Sequence, residues 1–367
     1  MESDLNKKYG LKRVINTSGR MSILGVSTQT DTVMKAMKIG GQQYIEMSDL
    51  VDKAGAYVAK KLGSESAVVV NAASSGIALS ISGIITEGNI RKSEKLHQVD
   101  IAKNQIILFK GHNVQYGAPI ETMVYLGGGE LVEVGYANEG KAEDIAEAIN
   151  ENTAAILYVK SHHAVQKNII SVEEAWEVAS SYGIPLIVDA AAEEDLKKYP
   201  AISDLVIYSG SKAIEGPTSG IVAGKSNYIG MVKSQFNFIG RSMKVGKETV
   251  FGLLQALDEY FEKEDTSDQE KACLNVLLPL NELEGVKIEI VQDEAGRSIY
   301  RARVHIDATI TGISAKAVVG YLKTGNVAIY TRDYGVSQGF FDIDPRPLQG
   351  DDIDFILTRL KSILGGN

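Results

Sequence analysis

Between Ser64 and Gly224, short β-branched apolar runs alternate with helical stretches, the pattern of a mostly parallel sheet covered by helices. The runs predict strands at 67–70, 106–109, 131–134, 154–159, 185–188, 205–208 and 220–223. Ahead of them, Val51, Ala54, Val58 and Leu62 paint one apolar face of a helix over 48–62. Ser171 and Glu174 form a capping box in front of Ala175, Val178 and Ala179, so a helix starts there. The most apolar stretch, 67–85, is interrupted by Asn71, Ser74, Ser75, Gly76, Ser80 and Ser82, which suits a buried strand and helix rather than a membrane span.

Past Gly224 the pattern changes. Helices are predicted over 226–235 and 247–264, then a charged connector at 265–270, strands at 286–291 and 301–306, a helix over 314–323, a strand at 327–331 and a last helix over 351–364. This reads as an arm with the first small-domain elements (1–47), a large α/β domain (48–255) and a smaller α+β domain (256–367). No repeat of fixed period and no low-complexity tract is visible.

With 367 residues, 44% hydrophobic and 23% charged, the chain can bury one large core and a smaller one, which excludes intrinsic disorder and a disulfide-stapled miniprotein. Thirty-eight Lys and Arg against 47 Asp and Glu give a net charge of -9, which offers no global attraction to nucleic acid or anionic lipid. A single cysteine, Cys273, forbids an intrachain disulfide and fits a reducing compartment, by default the cytoplasm. The opening MESDLNKKYGLKRVINTSGR carries charges on both sides of Leu5 and no apolar run, so no signal peptide is expected. Without CxxC, HExxH or EF-hand patterns, no catalytic metal is expected either.

In an open α/β sheet, ligands bind beyond the carboxyl ends of the strands. There the chain places Asn71 to Gly76, Lys110-Gly111-His112-Asn113, Lys160-Ser161-His162-His163, Asp189 to Glu193 and Ser209-Gly210-Ser211-Lys212. The turn Ser74-Ser75-Gly76 opens a helix and can aim N–H groups and hydroxyls at an anion; a merely capped helix would look the same. Asp189 and Lys212 can face each other from neighbouring strands, as catalytic groups or as a buried ion pair. Pyridoxal 5'-phosphate explains them jointly. Lys212 would form the Schiff base, Asp189 would keep the pyridine nitrogen protonated, and Ser74, Ser75, Gly76 and Ser209 would hold the cofactor. His112 would stack on the ring, or be a hydrogen-bonded loop histidine.

The segments GIPLIVDAAAEEDL, DLVIYSGSKAIEGPTSGIVAG and INTSGRMSILGVST resemble the fold-type I pyridoxal-phosphate enzymes, in the branch related to bacterial selenocysteine synthase. Within it, KGHNVQYGAP, ILYVKSHHAVQK and GRSMKVGKE are most similar to ammonia-lyases of phosphorylated amino sugar acids, and the likeness covers nearly the whole chain. The resemblance implies a large domain with a seven-stranded, mostly parallel sheet, a small C-terminal domain, an N-terminal arm and at least a dimer, because the active site lies between subunits. Residues after Gly240 would then serve the neighbour's cofactor. Arg241, Lys244 and Lys247 stand three apart, so a helical continuation would put them on one face, as a phosphate site or a solvated basic face. Arg332, after the 327–331 strand, is the first candidate for the substrate carboxylate, since such relatives commonly use a C-terminal-domain arginine; Arg20 and Arg346 follow. His162 and His163 would line the pocket, His163 as a proton carrier.

The implied activity is loss of ammonia from D-glucosaminate 6-phosphate, giving 2-keto-3-deoxy-6-phosphogluconate, with Lys212 as the base. Three alternatives stay open. A tRNA-dependent selenocysteine synthase would need a basic surface and more length. A non-catalytic oligomeric relative would not need both Lys212 and Asp189. A phosphate-binding α/β protein would use no pyridoxal.

Overall fold

The structure, a computed structural model, describes residues 4–98, 101–161, 163–292 and 298–365. In chain order its strands are β1 (Arg13–Thr17), β2 (Ser66–Val70), β3 (Gln105–Phe109), β4 (Glu130–Val134), β5 (Thr153–Val159), β6 (Leu186–Asp189), β7 (Leu205–Ser209), β8 (Gly220–Gly224), β9 (Val286–Gln292), β10 (Tyr300–Ile306), β11 (Val327–Thr331) and β12 (Phe340–Ile343). The chain divides into two units, Gln29–Glu262 on one side and Met1–Thr28 with Lys263–Asn367 on the other.

The Gln29–Glu262 unit is built on a seven-stranded sheet of order β2-β8-β7-β6-β5-β3-β4. Strands β3 to β7 run parallel, and β8 is antiparallel to both its neighbours. Every residue of β5 is buried, as expected of a central strand covered on both faces. Alternation sorts the side chains into two cores. Val68, Val70, Ile106 and Leu108 pack with the helix Ala73–Thr86 and with Ile229 and Val232. Ala67, Val69, Ile107 and Phe109 pack instead with the helices Met47–Leu62, Val172–Tyr182 and Lys247–Glu262. The apolar stretch 67–85 is thus β2 and a helix buried from Ser75 to Thr86. Among the described residues no helix is long and apolar enough to cross a membrane.

The helix at 172 starts as its sequence dictates. Ser171 Oγ accepts the Glu174 N–H at 3.2 Å, and Glu174 Oε2 accepts the Ser171 N–H at 2.7 Å. The helix Asp31–Gly41, assigned by its sequence neighbourhood to the arm, packs on Lys247–Glu262 and belongs to this unit.

In the other unit β9, β10 and β12 form an antiparallel sheet, while β1 pairs in parallel with β11, Thr17 opposite Thr331. Ile288, Val304, Phe341, Ile329 and Leu360 share its core. The charged connector at 265–270 is in fact the start of a helix, Ser267–Leu274, because Asp268 and Glu270 in its first turn suit the positive end of the helix dipole.

Candidate active site

Strands β5, β6 and β7 end side by side, with Val159 opposite Asp189 and Asp189 opposite Ile207. The main chain continues the ladder past the strand ends: Lys160 N–H donates to the Asp189 carbonyl at 2.8 Å and Ala190 N–H to that of Ile207 at 3.0 Å. The Asp189 carboxylate accepts the Ala191 N–H at 3.1 Å. Burial pushes its pKa up, while that bond and the Lys212 charge oppose the rise. Burial likewise pushes Lys212 down, against the pull of Asp189. Each group is thus driven toward its neutral form by its surroundings and toward charge by the other.

Lys212 rides on a tight turn. Gly210 N–H donates to the Ser219 carbonyl at 2.9 Å and Gly216 N–H to that of Gly210 at 2.8 Å. A Cβ on Gly210 would fall on Ser219 Oγ and press Leu253, so only glycine closes this turn. Ser209 Oγ and Ser211 Oγ lie 3.3 Å apart at its entrance.

The helix Ala73–Thr86 starts after β2 at an N-cap, Ala72, that supplies no side-chain cap. Its first-turn N–H groups therefore face outward beside Ser74 and Ser75. Gly76 lets the helix close on β7 and β8, where a Cβ would crowd Ile207 and Val222 at 3.0 and 3.1 Å. The buried Asn71 Oδ1 beside this turn has no hydrogen-bond partner. An uncapped helix start suits a phosphate, the unpartnered Asn71 oxygen calls for a donor from a bound group, and a lysine and an acid at adjacent strand ends suit the rest of pyridoxal phosphate.

His112 sits elsewhere than its stacking role requires. It is fully buried, its Nδ1 accepts the Val159 N–H at 3.3 Å, and its Nε2 meets the Val165 carbonyl at 3.1 Å. Its ring stands edge-on to Phe109 and Tyr158, with centroids 5.5 and 4.5 Å away. Burial lowers its pKa to about 4, so it is neutral and holds strand ends together; the hydrogen-bonded alternative is what the structure contains. A residue the sequence reading passed over, Tyr116, lies instead within electrostatic reach of Asp189. Its aromatic type after β3 was the available signal.

His163 is exposed, its N–H donating to Ser161 Oγ at 3.2 Å; His162 lies outside the described residues. Arg241, Lys244 and Lys247 do not share one helix. Arg241 lies within a 3-10 turn, Ile239–Ser242, Met243 N–H closes back on the Gly240 carbonyl, and the next helix begins only at Lys247. Arg241 and Lys244 are exposed. Lys247 Nζ donates to the carbonyls of Gly40 and Gly41 at 2.7 and 2.9 Å, so it caps the C-terminus of Asp31–Gly41 rather than joining a basic face.

In the other unit, the Arg332 guanidinium lies over Tyr334 at 5.0 Å, and its main chain exchanges two hydrogen bonds with Asp342. Arg346 grips the fully buried Asp344 through Nε at 2.9 Å and Nη2 at 2.6 Å, and Arg301 reaches the same carboxylate at 3.2 Å. Arg20 follows the turn in which Asn16 Nδ2 donates to the Gly19 carbonyl at 2.7 Å, and it is partly exposed. Among the described residues no group of His, Cys, Asp and Glu is arranged to hold a metal.

Sheet order, the lysine-bearing turn and the acid at the β6 end define a fold-type I enzyme, a class whose members among this chain's family and fold neighbours are pyridoxal-phosphate-dependent. The chain belongs to the L-seryl-tRNA selenium transferase family, whose model matches residues 46–320. Within it, the chain is 40% identical over 364 residues to D-glucosaminate-6-phosphate ammonia lyase from Salmonella typhimurium, covering 99% of this chain and 98% of that one. A solved structure of D-glucosaminate-6-phosphate ammonia-lyase superposes with a TM-score of 0.94 at 40% identity, covering 100% of this chain and 99% of the other. A 5'-C-glycyluridine monooxygenase-decarboxylase from Streptomyces is 34% identical over 361 residues, 97% of this chain and 90% of that one.

Proposed function

We propose that this chain binds pyridoxal 5'-phosphate and releases ammonia from D-glucosaminate 6-phosphate, leaving 2-keto-3-deoxy-6-phosphogluconate. The observation that carries the reading is the pairing of Asp189 with Lys212 at adjacent strand ends, in a chain so close to a D-glucosaminate-6-phosphate ammonia lyase along its whole length. The first-turn N–H groups of Ala73–Thr86, with Ser74, Ser75 and Ser209, would hold the cofactor phosphate, and Asp189 would hold a proton at its ring nitrogen. When bound, that group supplies a sink for the electron pair released at the substrate C2.

Lys212, held toward its neutral form by burial, takes the C2 proton. Loss of the C3 hydroxyl as water and later uptake of water at C2 leave ammonia as the net product beside the keto acid. Arg332 and Arg20 are our candidates for the substrate carboxylate and Arg241 and Lys244 for its phosphate, because a planar guanidinium or an ammonium suits those anions. His163, exposed beyond β5, would exchange protons with solvent.

A charge of -9 favours a small-molecule substrate over tRNA. The single thiol supports a reducing compartment such as the cytoplasm. Exposed Met34, Ile39 and Tyr44 on and after Asp31–Gly41 support a homo-oligomer.

The test is the absorbance of the purified protein before and after D-glucosaminate 6-phosphate, with ammonia and keto acid assayed in the same tube. A band that substrate perturbs, with both products formed, is expected. An inert band would remove the substrate, and no band after adding pyridoxal phosphate would remove the cofactor.

A further inference from the structure

We propose that Tyr116 is the acid that protonates the departing C3 hydroxyl, an inference that rests on the elimination reading above and adds a residue to it. Tyr116 stands in the loop 113–119 beyond β3, at the same end of the sheet as Asp189. The loop is pinned. Asn113 Nδ2 donates to Glu121 and Glu133 at 3.1 and 2.9 Å, Gly117 N–H to Gln115 Oε1 at 2.8 Å, and Tyr116 N–H to the Ala118 carbonyl at 3.2 Å. The ring packs on the sheet core while its hydroxyl, fully enclosed, has no hydrogen-bond partner among the described residues.

A buried hydroxyl without a partner is costly and calls for an explanation. Burial and the Asp189 charge push this phenol up to about 12, so at neutral pH it carries its proton and has one to give. The elimination needs such a donor, because hydroxide is a poor leaving group and Lys212 is occupied with the C2 proton. The C2–H pair becomes the C2–C3 π bond, the C3–O bond breaks with its electrons on oxygen, and the Tyr116 O–H proton passes to that oxygen, which leaves as water. The Lys212 ammonium then returns a proton to the phenolate, and the cycle is balanced.

The experiment compares the holoenzyme with Tyr116→Phe on D-glucosaminate 6-phosphate in deuterated water, following deuterium at C2 of recovered substrate and ammonia release separately. The variant is expected to keep C2 exchange and lose ammonia release by about 10²–10⁴-fold. An analogue carrying chloride at C3, which leaves without a proton, is expected to abolish most of that difference. The unloaded variant should melt no lower than wild type, since only an unpartnered hydroxyl is removed.

Ammonia release near wild type, or joint loss of exchange and release, overturns the role. So does a lowered melting temperature of the unloaded variant, which would reveal a structural partner. Wild type that neither exchanges C2 nor releases ammonia overturns the elimination reading itself, and this role with it.

Discussion

Asp189 and Lys212 leave neighbouring strands at the same end of the sheet, and each is the charge that opposes the other's burial. Among the described residues neither is neutralised by a close ion pair: the carboxylate takes one main-chain N–H, from Ala191. Burial that drives the Lys212 amine toward its neutral form is the condition a general base needs, and the Lys212 charge and the Ala191 N–H favour the carboxylate form of Asp189 that would hold a proton at the ring nitrogen.

Lys212→Ala is expected to remove the absorbance of lysine-linked cofactor and to lower ammonia release below detection. Visible spectroscopy on the reconstituted variant checks the first and a coupled ammonia assay the second. Full turnover would place the nucleophilic amine elsewhere.

Asp189→Asn should still take up cofactor, because the anion cradle at Ala73–Thr86 is untouched, but should lose about 10²–10⁴-fold in kcat as the proton at the ring nitrogen is no longer held. Cofactor titration and steady-state rates separate the two effects. Near-normal kcat would remove Asp189 from this role.

What the chain reveals unaided depends on whether a feature is local. The strands 67–70, 154–159, 185–188 and 205–208 read correctly because continuous apolar runs fit only a covered sheet, and Asp189 and Lys212 stood out as polar residues just after the last two. Strand β1 did not, because Arg13–Thr17 is short and gains its definition from pairing with β11 across more than 300 residues of chain. The spacing of Arg241, Lys244 and Lys247 suggested a helix face, but the turn at Ile239–Ser242 and the Lys247 contacts to Gly40 and Gly41 are tertiary. Tyr116 was passed over for a related reason: its aromatic type after β3 was a weak signal, and its chemistry lies in the partner its hydroxyl lacks among the described residues.

Gln235 tests the packing behind the cradle helix. Its fully buried amide accepts from Ser82 Oγ at 2.8 Å and donates to Thr86 Oγ1 at 3.1 Å and Ser93 Oγ at 3.0 Å. Gln235→Ala removes these bonds and opens a cavity, and should cost about 2–4 kcal/mol of stability. Urea denaturation of the variant, with a midpoint unchanged from wild type, would show that the network is dispensable.

Asp344 gives a pH-dependent counterpart. Burial alone would raise its pKa, but the hydrogen bonds and charge of Arg346, with the charge of Arg301, outweigh that and hold it below the ordinary carboxylate range. A carboxyl whose pKa is lower in the folded than in the unfolded state contributes stability that is complete above the unfolded value, about 4, and is lost as pH falls through the folded one. Asp344→Asn leaves Arg301 and Arg346 without their shared anion and should cost about 3–5 kcal/mol at neutral pH. Denaturant midpoints of wild type and variant, followed from pH 7 downward, should therefore stay well apart until about pH 4 and then converge. A gap that persists unchanged at lower pH would mean that Asp344 acts through packing rather than through its charge.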